Sequence, residues 1–169
     1  MNFHDKVRRT HVRLMRLSLE TLEHILKNTT QEQATTLRDG LEGWTILEVV
    51  CHLRDFDGFF YDRAVMMVEQ DNPQLPAHDH EALAIERDYN SQNLAYAFDE
   101  LKQSRERFRE FFKNLTAEQW ERAGIHPEKG HFTITDAAIQ VGMHDVTHLE
   151  QITRILEQEV PGSGALPSE

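Results

Sequence analysis

Residues 133–158 read TITDAAIQVGMHDVTHLEQITRILEQ, and this stretch decides the fold. Thr133 with Asp136 three residues on is a helix-opening pattern, in which hydroxyl and acid satisfy the first free amides. Apolar residues then recur at helical spacing. Val141, His148 and Ile155 are seven apart, and so are Ala137 and His144, so two histidines fall in the stripe that should face a core. A buried ring nitrogen without a partner costs about 2 kcal/mol or more, and a metal ion would remove that cost for both rings. His144 and His148 are four residues apart, one turn along one face, and can address a single ion. Zinc-protease chemistry is excluded, because Asp145 stands where that motif needs Glu. A third ligand must come from elsewhere.

Working outward, three further long helices are expected. The first runs over about 3–28, with Val7, Leu14, Leu22 and Ile25 on its apolar face. His4 and His11 on it are read as surface or bundle-end residues. The second opens on a capping box, Thr45 with Glu48, preceded by Trp44. It continues through Val49, Val50, Leu53, Phe56 and Phe60 to about Gln70, before Pro73 and Pro76. The third extends from near His80 to about Asn114 and is long enough to expect a break near Asn90 and Ser91. A short helix from Thr116 to near Gly124 follows, then a loop over 125–132 and an extended piece near His131–Ile134. The expected fold is all-α, an antiparallel four-helix bundle with a short extra helix. It forms one domain over 1–160, with a flexible tail over 161–169.

Composition narrows the partners. The 169 residues suffice for one core, and the net charge of −11 disfavours nucleic acid and anionic membranes. No stretch approaches the ~20 apolar residues of a membrane span. A single cysteine precludes an internal disulfide, and no signal-peptide pattern opens the chain, which together favour the cytoplasm. Cys51 is read as a small packed residue.

The openings of the second and last helices match: Trp44-Thr45-Ile46 against Phe132-Thr133-Ile134. Counting from the caps, His52 is seven residues in, and His144 and His148 are eleven and fifteen in. Steps of four keep to one face, so all three can look into a shared interior. With GWTILEVVCHLRDFD (43–57) and HDVTHLEQI (144–152), the chain resembles the DinB-like (YfiT-like) family of metal-dependent enzymes. The matching positions are Trp44, Thr45, His52-Leu53, His144, His148, Gln151 and Ile152, in helix order across nearly the whole chain.

That resemblance implies an up-down-down-up bundle, a homodimer, and one divalent metal held by His52, His144 and His148. Three protein ligands leave coordination positions open, as at catalytic sites. Zn²⁺ and Ni²⁺ suit imidazole, and Fe²⁺ does too. The function implied is that of a transferase using a low-molecular-weight thiol, or a hydrolase. In either, the metal activates thiol or water against a small-molecule substrate. The competing reading is a non-catalytic bundle that sequesters a small molecule or a metal. Asp55, one turn from His52, is a candidate catalytic group, with pairing to a nearby arginine as its alternative. Gln151 is a candidate to orient His148. Asp145 should point away from both histidines, toward the surface or the ligands' supporting shell. His126 and His131 either edge the pocket or lie on the surface. Tyr89 and Tyr96 are assigned to the core.

Overall fold

The computed structural model describes residues 2–158, so the expected tail lies outside the described residues. Four long helices form the bundle: α1 (Phe3–Leu26), α3 (Ile46–Glu69), α5 (Leu94–Lys113) and α7 (Ile134–Glu157). Short helices α2 (Gln31–Thr36), α4 (His80–Glu86) and α6 (Ala117–Trp120) fill the connections. The capping boxes at Thr45 and Thr133 form as read, each hydroxyl accepting from the N3 amide while the N3 acid accepts from the cap amide.

Helix directions follow from which residues meet. Between α1 and α7, Arg8 bonds Thr135 and Ser18 bonds Asp145, both 127 residues apart, so these helices are parallel. Between α3 and α5 the Arg54–Glu100 and Asp57–Arg105 separations are 46 and 48, which makes them parallel too. Across α3 and α7 the order reverses: His52 meets His148 while Phe56 meets His144. The bundle is therefore up-down-down-up.

The break expected near Asn90 and Ser91 is present: α4 ends at Glu86, a 3-10 turn spans Tyr89–Ser91, and α5 restarts at Leu94 behind its cap Asn93. Asp88 takes a left-handed φ of 45° there, which stops α4. Tyr89 turns fully inward, as assigned, while Tyr96 is 64% exposed and is not core. The extended piece expected near His131–Ile134 is strand β2 (Gly130–Thr133), and the helix end and loop expected before it are corrected: β1 (Ala123–His126) pairs antiparallel with β2 in a hairpin. Gly130, at φ 69°, permits its turn. Leu75 donates to the Ile125 carbonyl and Ile125 to that of Pro73, which ties the segment after α3 onto the hairpin.

Apolar residues form two clusters, one around Leu47, Val50, Leu101 and Ile152, the other around Met15, Phe108, Ile134 and Val141. Between them lies a buried polar layer with one residue from each long helix: Ser18, Asp57, Arg105 and Asp145. Arg105 Nε donates to Asp57 at 2.6 Å, and its two terminal nitrogens grip Asp145 at 2.6 and 2.9 Å. Asp145 does point away from the ligand histidines, but it is buried there and not at the surface. The i+1 position beside a cavity-facing residue is rotated by about 100°, here toward α1 and α5.

Candidate metal centre

Because α3 and α7 run antiparallel, His52 on one faces the His144–His148 pair on the other. One ligand atom from each of the three lies within 4.8 Å of the others. The Nε2 atoms of His52 and His144 are 2.9 Å apart. Metal–nitrogen bonds of about 2.0–2.1 Å place two ligands of one ion about 3 Å apart, so this spacing suits a shared ion.

Protonation favours the same role. Burial pushes the His52 imidazole down to about 3, assisted by the neighbouring His148 and His80. Burial likewise holds His144 well below the ordinary value, with His148 and His52 adding to it. Burial lowers His148 as well, partly opposed by Gln151. Neutral imidazoles present the lone pairs that a divalent ion needs.

Ring orientation comes from two sources. Gln151 Nε2 donates to Asp39 at 3.1 Å, which turns its amide oxygen toward His148 Nδ1 at 2.8 Å. His148 therefore carries its proton on Nδ1 and leaves Nε2 bare. Asp39 is in turn held by Arg154. His52 is fixed by packing instead, with Trp44 at 4.9 Å and Phe56 at 4.2 Å between ring centroids. Its Nδ1 is buried and has no hydrogen-bond partner among the described residues. The donor set fits a single imidazole-ligated divalent ion.

The histidines sit in a cavity of about 610 Å³ between α3, α7, the segment before α4 and the hairpin. Trp44, Phe56 and Phe60 give it apolar walls, Arg63 reaches it from farther along α3, and His78, His80 and His126 reach it from other segments. Local sequence does not mark His78, His80 or Arg63 as cavity residues, since nothing in residues 63–80 shows that the chain folds back over α3. His126 is buried on β1, whereas His131 is exposed on β2.

Asp55 does not line this cavity. Its carboxylate accepts from Arg54 at 2.8 Å, Arg87 at 2.7 Å and the Tyr89 hydroxyl at 2.6 Å, so the arginine-pairing alternative holds. Its structural task is to anchor the break between α4 and α5. Cys51 is fully buried, and burial raises its thiol to about 12, which makes it inert.

A three-imidazole pocket in an up-down-down-up bundle defines a class of metal-binding helical proteins. The chain belongs to the DinB superfamily, whose model matches residues 14–152. A candidate metal-dependent hydrolase from Oceanobacillus iheyensis is 27% identical over 146 residues, 83% of each chain. YfiT of Bacillus subtilis, with the same designation, is 24% identical over 124 residues, covering 71% of this chain and 68% of that protein. Its solved structure superposes with a TM-score of 0.81 over 89% of this chain and 86% of that one. A mycothiol-dependent maleylpyruvate isomerase shares the fold at a TM-score of 0.73 and 12% identity, covering 90% of this chain and 63% of that one. Among the described residues, no helix is long and apolar enough to cross a membrane.

Two predictions arise here. Removing the Gln151 amide by Gln151→Leu frees the His148 ring and should weaken Zn²⁺ binding roughly tenfold to a hundredfold; calorimetric titration would show it, and an unchanged affinity would remove Gln151 from the site. The second concerns pH. The unfolded chain protonates its histidines below about 6.5, while folding keeps His52 neutral until about 3. The depressed folded value means that stability is fully present above pH 6.5 and is lost as pH falls toward 3. Each such histidine contributes a slope of up to about 1.4 kcal/mol per pH unit. Urea unfolding of metal-free protein at pH 7, 6 and 5 should follow this slope, reduced in His52→Phe. A flat profile in wild type would contradict the neutral assignment.

Proposed function

We propose that this protein is a metal-dependent enzyme that directs a water or small-thiol nucleophile at an electrophilic small molecule. The observation carrying this reading is the convergence of three neutral imidazoles, a group that among the described residues includes no carboxylate or thiolate, at the wall of a cavity. Among the described residues this group offers three protein ligands, and the cavity would give a substrate access to an ion held there. A bound divalent ion would lower the pKa of a coordinated water or thiol and polarise the group attacked.

The chain's own residues supply the remainder. Trp44, Phe56 and Phe60 restrict water around the reacting centre. Gln151 and Asp39 hold the His148 ring. His80 lies at the cavity beside Trp44 and His52, with Nε2 3.6 Å from Glu81. It is placed to take the proton released by the nucleophile and pass it to solvent. The hydrolase designation of the relatives supports water as nucleophile, and the shared fold of the mycothiol-dependent isomerase supports a thiol.

The test loads the protein with Zn²⁺, Ni²⁺ or Fe²⁺. It follows conjugation of several thiols to a model electrophile beside ester and amide hydrolysis. Turnover should appear in wild type and vanish in His148→Ala. Equal activity in both would remove the metal from the reaction, and tight ligand binding without turnover under any loading would replace the enzyme reading by sequestration.

A further inference from the structure

Arg63 is a buried charged group in the cavity that the metal reading leaves unused. It is 5% exposed, yet among the described residues no carboxylate lies within ion-pair distance of it. The groups it bonds are uncharged. Nε donates to the Pro76 carbonyl at 3.0 Å, one terminal nitrogen donates to the same oxygen, and the other lies 3.2 Å from His126 Nε2. A guanidinium has five N–H donors, so at least two remain for a ligand. Glu128, the acid whose charge acts on it, is exposed on the hairpin turn. Lys129, another cavity residue, adds positive charge nearby. An arginine buried without a counter-charge is costly unless an anion arrives; Glu42, Glu81 and Glu128 also line the cavity, but none of them is ion-paired with Arg63.

Its placement is specific. His52, Phe56, Phe60 and Arg63 follow one another on one face of α3, from the metal ligand along the cavity. His52 and Arg63 are separated by about 16 Å of helical rise between backbones, shortened in the cavity by the reach of the arginine side chain. Phe60 packs on His144 at 5.2 Å, so the rings of Phe56 and Phe60 floor the space between the two ends. The Pro76 carbonyl that aims the guanidinium is itself placed by the backbone bonds tying residues 73–75 to β1.

We infer that Arg63 is the anchor for a terminal carboxylate on the substrate, so that the enzyme selects elongated molecules with an anionic end, an apolar middle over Phe56 and Phe60, and the reacting group at the histidines. This rests on the metal-site reading above, and the test separates the two. The probes are hydroxamic acids, whose head chelates a divalent ion, with two to eight methylenes ending in a carboxylate or its methyl ester. Acetohydroxamate serves as the head alone. Binding is measured by calorimetry on the Zn²⁺-loaded protein.

Acetohydroxamate should bind wild type and Arg63→Gln equally. At one chain length the acid should bind wild type roughly tenfold to a hundredfold more tightly than its ester. That preference should vanish in Arg63→Gln and partly return in Arg63→Lys. Failure of acetohydroxamate to bind would defeat the metal reading. Normal acetohydroxamate binding with no acid-over-ester preference at any length would overturn the anchor while leaving the metal site intact. The length series in wild type needs no variant, so it decides the question even if Arg63→Gln does not fold.

Discussion

Replacing His144 with alanine should lower the affinity for Zn²⁺ or Ni²⁺ by on the order of a thousandfold, as expected for one lost imidazole of a site that offers three. His148→Ala should match it, and His4→Ala, on the exposed start of α1, should leave binding unchanged. The reason lies in the geometry. His52 comes from a separate helix, so losing either α7 ligand leaves two nitrogens from two helices, and no other such three-donor group is found among the described residues. Metal analysis of purified variants after dialysis against a weak chelator would measure this. Full retention of metal by both α7 variants would move the site elsewhere in the molecule.

The ligand set was legible because metal ligands must obey helical spacing. The four-residue step from His144 to His148, and matching caps at Thr45 and Thr133, are local facts that survive folding. The bundle was legible for the same reason, since amphipathic period and capping boxes are written in consecutive residues. What the sequence did not show depends on contacts between distant segments. The β-hairpin rests on a pairing of Ala123–His126 with Gly130–Thr133, and on a bridge from Gln74 to Ile125, neither of which leaves an alternating pattern long enough to read. Arg63 looked like one more charged residue on a helix. Its burial arises only when residues 73–80 fold over α3. Asp55 and Asp145 both lie near ligand histidines in sequence, yet each is turned by helix geometry toward an arginine on another element.

Arg105→Leu should destabilise the fold by on the order of 3–5 kcal/mol, because it would leave two buried carboxylates without their cation. Burial raises the Asp57 carboxyl, against the pull of Arg105. Burial also opposes the charge on Arg105, but Asp57 and Asp145 outweigh it and hold the guanidinium above its ordinary value. The pairing is therefore strong, while its net contribution against an apolar layer is small. Replacing all three, with Asp57→Leu and Asp145→Leu added to Arg105→Leu, should recover most of the lost stability. Metal affinity should not recover with it. Arg105 grips the carboxylate next to His144, and through it fixes the rotation of α7 that turns His144 and His148 toward His52. A leucine layer packs without directional bonds, so the triple variant should bind Zn²⁺ roughly tenfold more weakly than wild type. Denaturant unfolding and metal titration on the single and triple variants would test both halves. A single variant that loses less than about 1 kcal/mol would contradict the buried-charge account, and a triple variant with wild-type affinity would show that apolar packing alone orients α7.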